Sequence, residues 1–137
     1  MTESLPVPII NADSAPYWEG AREGKLLLQR CEDCKTVRFF PRYLCTECGS
    51  SKTTWAEASG RGTVHSFSIV HRAAFPEFQA QTPYALALID LAEGPRMMTN
   101  IVGNDALDVA IGDAVEVVFE DRGTEGAKVP QFQRAKE

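Results

Sequence analysis

The sequence contains little of what most enzymes use for chemistry. It has only two histidines and four cysteines, and none of the common catalytic or nucleotide-binding motifs such as G-x-G-x-x-G, H-E-x-x-H or a nucleophile elbow. No apolar run approaches the ~20 residues of a membrane-spanning helix, so we expect no membrane association. The first residues show no basic segment followed by an apolar run. Because no secretory signal is visible, we expect a reducing, cytoplasmic location.

The composition narrows the class of protein further. A chain of 137 residues that is 44% apolar and 24% charged suits one modest globular domain with a small appendage. The net charge is -5, and the acidic residues concentrate between positions 105 and 125, where Arg122 is the single cation. A nucleic-acid backbone would be repelled by this stretch, so we expect no nucleic-acid partner.

The four cysteines carry the clearest signal in the sequence. They form two C-x-x-C pairs, Cys31 with Cys34 and Cys45 with Cys48, and ten residues separate the pairs. Each pair can form a tight turn with both thiolates on one side, and two such turns supply the four sulfurs of a tetrahedral zinc site. Four protein thiolates leave no position open for a substrate. The pattern therefore predicts a structural Zn²⁺ in a rubredoxin-like ribbon over residues 25–54.

Three other kinds of site also use paired cysteines: disulfides, a redox C-x-x-C motif and an iron centre. Disulfides need an oxidising compartment, which the N-terminus does not indicate. A redox C-x-x-C should open a helix after a strand of a βαβ unit, whereas Cys31 follows the strand-like segment 25–30 and the second pair leads to a polar turn. Iron of the rubredoxin type shares the preference of zinc for four thiolates, so iron stays an alternative.

The segment before the ribbon, residues 1–24, is predicted to be an extended arm and one short helix. Asp13 or Ser14 is a suitable N-cap, Pro16 fits the first turn, and Gly24 fits the end of the helix. A helix of about ten residues does not hold itself together in water, so Trp18 should pack against the ribbon or another subunit.

Residues 55–137 show short alternating strands separated by turn residues. The predicted strands cover 63–71, 84–91, 96–102, 114–120 and 129–134, with a helical turn at 105–110 between the third and fourth. Five strands with a small helix in that place predict a mainly β protein with an OB-fold barrel. The long segment 72–83 lies where OB-folds commonly bind their ligands.

The histidines are the remaining candidates for chemistry. His65 and His71 lie an even number of residues apart on one predicted strand, so they should share a face. No motif places a carboxylate or serine beside them, and we interpret both as polar residues of the barrel. The sequence thus predicts a binding protein with no catalytic residues.

The ordered motifs resemble a known family. They are the short helix, Leu-Gln-Arg-Cys-x-x-Cys, Arg-Phe-Phe-Pro-Arg at 38–42, Cys-x-x-Cys-Gly, Ser-Gly-Arg-Gly-Thr-Val at 59–64, and Val-Glu-Val-Val-Phe-Glu-Asp at 115–121. Together they resemble the acyl-CoA-associated zinc-ribbon and OB-fold family, long labelled a domain of unknown function. The resemblance implies a non-catalytic subunit that docks on a thiolase-superfamily enzyme, namely a thiolase, acyltransferase, hydroxymethylglutaryl-CoA synthase or aldolase, and helps to bind or channel acyl-CoA.

Coenzyme A would need cations for its phosphates and aromatic side chains for its organic part. The candidate contacts to acyl-CoA or to the partner are Arg38, Phe39, Arg42, Arg61, Arg72, Phe75, Phe78 and Trp18. Two other functions stay open at this point: a nucleic-acid-binding OB-fold module and a rubredoxin-like iron protein.

Overall fold

The computed structural model of the chain describes residues 5–135. The first four positions of the predicted arm and the last two of the predicted barrel domain lie outside this range. The elements, in chain order, are α1 (Ala15–Arg22), β1 (Leu27–Cys31), β2 (Val37–Arg38), β3 (Thr53–Glu57), β4 (Arg61–Val70), α2 (Pro76–Gln79), β5 (Tyr84–Leu91), β6 (Arg96–Val102), a 3-10 turn (Ala106–Asp108), β7 (Ala114–Arg122) and β8 (Ala127–Arg134). Among the helices of this described part, none is long and apolar enough to cross a membrane.

Helix α1 forms where the sequence predicts a short helix, but its first turn is held differently. Ser14 occupies the N-cap position without a side-chain bond to the helix. Its backbone N–H instead donates to Oδ1 of Asn11 at 2.9 Å, which joins the arm to the helix. A Cβ on Gly20 would lie 2.6 Å from Cδ1 of Leu27, so the absence of a side chain there allows α1 to pack closely against β1.

The ribbon is a three-stranded antiparallel sheet in the order β2-β1-β3. Gln29, in the middle of β1, lies opposite Arg38 on one side and Trp55 on the other. The strand β3 was not predicted from the sequence, and it crosses the predicted boundary between residues 54 and 55. The predicted division into arm, ribbon and barrel domain stays a prediction.

The remaining strands close into a five-stranded barrel in the order β4-β5-β6-β8-β7. In β5 the residues alternate strictly between partly buried and buried positions, as the period of two in a strand requires. A mainly β fold with a short N-terminal helix, a zinc ribbon and an OB-like barrel is therefore confirmed.

Two details of the barrel differ from the sequence prediction. Residue 65 forms an irregularity in β4, between the pairs that Val64 and Ser66 make with β5, and β4 ends at Val70, one residue before His71. The expectation that His65 and His71 share a strand face is wrong, because the extra residue changes the alternation. The segment 72–83 contains the helix α2 rather than an entirely irregular loop.

One hydrophobic cluster joins the ribbon and the barrel. Leu26 and Leu28, next to and within β1, are 2% and 1% exposed and belong to the same cluster as Ile89 and Phe132 of the barrel. Tyr17 of α1 is also buried in it. The helix and the ribbon are therefore packed on the barrel, and the cavities between them have walls from all three parts.

Candidate metal centre and ligand cleft

The two C-x-x-C pairs fold into turns of the same shape. In the first turn, the N–H of Lys35 donates to the carbonyl oxygen of Cys31, and in the second the N–H of Gly49 donates to that of Cys45, both at 2.9 Å. Lys35 and Gly49 occupy equivalent positions and both have positive φ angles, 65° and 77°. This conformation is easy for glycine and costly for lysine, so the first turn carries backbone strain that the second avoids.

The turns bring all four cysteine sulfurs together. The Sγ atoms of Cys31, Cys34, Cys45 and Cys48 all lie within 4.8 Å of one another. The Sγ of Cys31 is 3.5 Å from that of Cys48, and the Sγ of Cys34 is 3.6 Å from that of Cys45, so no disulfide is present among them. Four sulfurs at ~2.3 Å from a central ion stand ~3.8 Å apart, so these residues fit a tetrahedral Zn²⁺.

The local hydrogen bonds favour thiolates at part of this cluster. The side chain and backbone of Thr36 hydrogen-bond the sulfur of Cys34 and lower the pKa of that thiol to about 6. The backbone N–H of Cys34 lowers the pKa of Cys31. A backbone bond from Ser50 acts in the same direction on Cys48, but the neighbouring thiols and burial outweigh it and raise its pKa. Four sulfurs with this competition for protons suit a cation that replaces the protons.

Polar side chains outside the cluster connect its two turns to each other and to β3. Ser50 donates to Oδ2 of Asp33 at 2.5 Å, which links the second turn to the first. Thr54 on β3 donates to Oε1 of Glu32 at 2.6 Å, and this bond is the main cause of the lowered pKa of Glu32. These bonds hold the cysteine turns in the positions that a metal ion would need.

Arg38 is buried beside the ribbon, at 8% exposure. Its Nη2 donates to the carbonyl oxygen of Arg42 at 3.1 Å and to Oγ1 of Thr53 at 3.2 Å. Among the described residues 5–135, its Nε and Nη1 have no hydrogen-bond partner. A buried cation with two free donors is costly unless an anion completes it.

This arginine lines a groove of about 290 Å³ between the ribbon and the turn that precedes β6. Arg42 and Arg96 also line it, and the guanidinium of Arg42 lies 5.6 Å from the centre of the Phe40 ring, a cation–π distance. Glu47 is the acidic residue among its lining side chains. We call this site the cationic groove, because its lining residues include three arginines and one carboxylate.

A larger cavity of about 430 Å³, which we call the apolar cleft, lies between α1, the ribbon and the barrel. Its apolar walls include Trp18, Phe39, Phe40, Phe78, Leu86 and Met98. Phe40 and Met98 are each 60% exposed. Phe39 packs edge-to-face on both Tyr17 and Phe40, at ring distances of 5.7 and 5.2 Å. The cleft has the size and apolar character of a small-molecule site.

The floor of the cleft carries a few buried polar groups. Gln131 is 4% exposed, and its Oε1 accepts from Oγ1 of Thr99 and from the N–H of Asn100, both at 3.1 Å. Arg122 is 9% exposed and donates to the carbonyl oxygen of Pro6 and to Glu120, whereas its Nε has no partner in the described part of the chain. Such groups can orient a ligand within apolar walls.

The structure divides the eight predicted contact residues into three groups. Trp18, Phe39 and Phe78 line the apolar cleft, and Arg38 and Arg42, together with Phe39, line the cationic groove. The other three residues line neither site and are exposed: Arg61, Arg72 and Phe75.

The structure also places a carboxylate beside one histidine, which the sequence did not indicate. Nδ1 of His65 is 3.3 Å from Oδ2 of Asp90, and Nε of Arg96 donates to Oδ1 of the same carboxylate at 2.6 Å. The bond from Arg96 is the first cause of the lowered pKa of Asp90, and His65 adds to it. These side chains are about half exposed, and His65 and Asp90 line neither the groove nor the cleft.

Sequence reasoning missed Arg96, Met98, Arg122 and Gln131. Nothing in the local sequence shows that the ribbon lies over the turn before β6, which is how Arg96 reaches the groove. A signal did exist for Gln131: its neighbour Pro130 stands inside a strand pattern, and a proline there marks an unpaired strand edge.

The fold and the cysteine cluster together define a protein with a zinc ribbon and an OB-fold barrel. The family described as "ChsH2, rubredoxin-like zinc ribbon domain" matches residues 18–54, and "ChsH2, C-terminal OB-fold domain" matches residues 55–120. A DUF35 domain-containing scaffold protein of Methanocaldococcus jannaschii is 41% identical over 105 residues, which are 74% of this chain and 73% of that protein. The chain belongs to the ChsH2 and DUF35 family, as the sequence resemblance predicted.

Other relatives are much longer than this chain. A probable enoyl-CoA hydratase alpha subunit of Thermomonospora curvata is 41% identical over 107 residues, which cover 78% of this chain and 33% of the relative. The 3-oxo-4,17-pregnadiene-20-carboxyl-CoA hydratase alpha subunit of Mycobacterium tuberculosis is 36% identical over 120 residues, which cover 87% of this chain and 37% of that protein. The chain thus spans about a third of the length of these two proteins.

Two solved structures share the fold. A chain of an Ltp2-ChsH2(DUF35) aldolase superposes with a TM-score of 0.81 at 36% identity, and the match covers 93% of this chain and 98% of that one. A DUF35 protein of unknown function from Sulfolobus solfataricus has a TM-score of 0.62 at 16% identity, with 91% and 87% covered. The second likeness concerns the fold alone.

Proposed function

We propose that this protein is a non-catalytic, zinc-binding accessory subunit that docks on a thiolase-superfamily enzyme and helps to bind or channel acyl-CoA. The names of its relatives support the general part of this proposal, since they include scaffold proteins, hydratase alpha subunits and an aldolase that contains a ChsH2 chain. Within the enzyme class, a thiolase, acyltransferase, hydroxymethylglutaryl-CoA synthase or aldolase would be a suitable partner.

The observation that carries the proposal is the position of the cationic groove next to the apolar cleft. Phe39 and Phe40 line both, so the two sites share one aromatic wall. Acyl-CoA combines a polyanionic head with a long, mostly uncharged tail. Arg38, Arg42 and Arg96 line the groove and suit the phosphates of the head, because guanidinium groups form charge-assisted bonds with phosphate.

The side chains in and around these sites support a binding role rather than catalysis. The four cysteines lie together in the metal cluster, and the His65–Asp90 pair lies away from both cavities. The reaction would then belong to the partner enzyme. The metal would be structural, and zinc is favoured over iron by the family description. An absorption spectrum of protein purified from the native host distinguishes the two metals, since a tetrathiolate iron centre is coloured.

Docking would use the exposed apolar residues near the cleft. Phe40, which lines the cleft, is 60% exposed, and Phe75, which is 64% exposed, precedes the helix α2 that supplies Phe78 to the cleft wall. The proposal includes contacts from the segment 72–83 and from α1 around Trp18 to the catalytic subunit. Hydrogen exchange should then show protection of residues 72–83 when the complex forms.

The test of partner and activity is purification of the tagged chain from its native host. We expect a thiolase-superfamily enzyme to co-purify, and we expect the isolated chain to show no turnover of acyl-CoA until that enzyme is added. Turnover by the pure chain that disappears in His65→Ala would contradict the proposal, as would a partner of unrelated chemistry.

The test of ligand binding compares two arginines. Arg42 lines the groove, and Arg72 is another exposed cation outside it. Loss of one charged hydrogen bond to phosphate costs about 1.5–3 kcal/mol, so Arg42→Gln should weaken coenzyme A binding roughly 10- to 100-fold in calorimetry. Arg72→Gln should bind like the unaltered chain. Equal effects of both variants would show that only general charge attraction is involved.

A further inference from the structure

We infer that the apolar cleft holds the amide-bearing pantetheine arm of a coenzyme A thioester in extended form, hydrogen-bonded to the unpaired edge of β6 at Met98. The inference rests on the proposed function in one respect, namely that acyl-CoA is the ligand. It adds which part of the ligand the cleft takes and which backbone groups recognise it.

A gap separates β6 from β8 over most of their length. These strands run parallel, and their pairing is limited to Ile101 with Phe132 and Val102 with Gln133. In this register the next backbone bond that β8 would donate runs from the N–H of residue 130 to the carbonyl oxygen of Met98. Residue 130 is Pro130, which has no N–H, so that bond cannot form.

The backbone groups of β6 face β5 and the gap in alternation. The N–H of Leu91 donates to the carbonyl oxygen of Pro95 at the start of the β5–β6 hairpin. Bonded pairs then alternate along the hairpin, so the backbone groups of Met97 and Thr99 face β5. Those of Met98 and Asn100 face the gap. The bond from the N–H of Asn100 to the Gln131 side chain agrees with this direction.

Gln131 therefore completes the edge at Asn100, but the carbonyl oxygen of Met98 is left without its ladder partner. An open strand edge can accept an added extended chain, with backbone bonds for affinity and flanking side chains for specificity. Here the flanking side chains are apolar and include Trp18, Phe39 and Leu86. The ligand must be narrow, extended and rich in amide groups.

The position of the cleft selects pantetheine from among extended amide chains. The cleft shares Phe39 and Phe40 with the cationic groove, so a ligand with its phosphates in the groove continues past these rings into the cleft. In a coenzyme A thioester, the part directly after the phosphates is the pantetheine arm with its two amides. Its N–H groups can donate to the carbonyl oxygen of Met98.

The experiment uses S-acetylpantetheine, which lacks the phosphates, and acetyl-CoA, both titrated calorimetrically into the zinc-loaded full chain. Pro130→Val supplies the missing N–H, which lets β8 bond to Met98 and closes the edge. We expect S-acetylpantetheine to bind at least about fivefold more weakly to this variant, the equivalent of one hydrogen bond. The melting temperature should stay close to that of the unaltered chain, because the new backbone bond offsets the greater freedom of the unfolded state.

A second pair of variants keeps the test independent of the proline. Leu86→Trp fills the cleft, whereas Leu88→Trp places the same side chain on the same face of β5 outside the cleft lining. We expect the first to abolish S-acetylpantetheine binding and the second to leave it unchanged.

The outcomes separate the two proposals. If Pro130→Val and Leu86→Trp both bind S-acetylpantetheine like the unaltered chain, or if the unaltered chain does not bind it, the assignment of the cleft is overturned. Should acetyl-CoA still bind and depend on Arg42 in that case, the proposed function stands. If neither compound binds and no thiolase-like enzyme co-purifies, the proposed function itself has failed.

Discussion

Removal of the metal should unfold the ribbon and leave the barrel folded. The perturbation is chelation, or the double substitution Cys34→Ser with Cys48→Ser. Structural zinc in small peptides contributes roughly 10–16 kcal/mol of apparent binding free energy, which becomes folding free energy because the site forms only in the folded chain. A whole domain is stable by only about 5–15 kcal/mol. The three short ribbon strands cannot compensate for a loss of that size.

The effect on the barrel follows from the core that the two parts share. Leu26 and Leu28 are almost completely buried in the common cluster, and their exposure would cost about 1.5–3 kcal/mol each. The barrel would keep Ile89, Ile101 and Phe132, which are buried among its own strands. We therefore expect a loss of about 3–6 kcal/mol from the barrel, which lowers its melting temperature by more than ~10 °C without unfolding it at 25 °C.

Circular dichroism and tryptophan fluorescence measure the two parts separately. The β signal of the barrel should persist, while the emission of Trp55 on β3, measured in a Trp18→Phe background, should shift to that of an exposed indole. Ser51→Ala, at an exposed position beside the ribbon, is the matched control and should keep both signals. The reasoning would be refuted by complete loss of β content at 25 °C, or by an unchanged melting temperature of the barrel.

Three further predictions concern single groups. Lys35→Gly should stabilise the zinc-bound chain and Gly49→Ala should destabilise it, each by about 1 kcal/mol, because both positions have a left-handed backbone conformation. Shifts in melting temperature of the same sign for the two variants would contradict this. Gln131→Met keeps the shape of the side chain but leaves the N–H of Asn100 without its acceptor, so urea unfolding should show a loss of about 1–3 kcal/mol, and no loss would mean that water replaces the amide. The pKa of Asp90 is lowered in the folded state, so the ionised carboxylate stabilises the fold above the ordinary carboxyl pKa of about 4, and this contribution is lost as the pH falls through the folded pKa. The free energy of unfolding of Asp90→Asn should therefore depend less on pH between about pH 5 and pH 2. An identical pH dependence would show that the Arg96 bond is not formed in solution.

The sequence predicted the fold from features that act locally. Two C-x-x-C pairs imply two cysteine turns, and the strict alternation in 84–91 implies a strand with one buried face, whatever the rest of the chain does. The strand β3 escaped prediction because it is short and its sequence, Thr-Thr-Trp-Ala-Glu, does not alternate between apolar and polar residues. The irregularity at residue 65 escaped because a single extra residue leaves no mark on composition.

The candidate site was predicted only in part, because its members come together through packing. Trp18, Phe39 and Phe78 are aromatic residues from three distant segments, and the sequence could name them without showing that they share a cleft. Arg61 and Arg72 carry the same guanidinium group as Arg42, but the fold places them outside the groove and the cleft. Charge and aromaticity can be read from a sequence, whereas the neighbourhood of a side chain depends on the tertiary structure.

On the proposed function, the composite walls of the cleft would let a metal ion that touches no ligand control ligand binding. Phe39 and Phe40 follow directly after β2, and β2 is held to β1 by a register of only two residue pairs. The position of these rings therefore depends on the cysteine turns that fix the ribbon, while the opposite wall and the edge at Met98 belong to the barrel. If the ribbon unfolds, the barrel keeps its open edge and Arg96 but loses the aromatic wall together with Arg38 and Arg42 of the groove. On the proposed function, the zinc ion thus acts on acyl-CoA binding only through the placement of the ribbon, which is consistent with a site that has four protein ligands and none to spare.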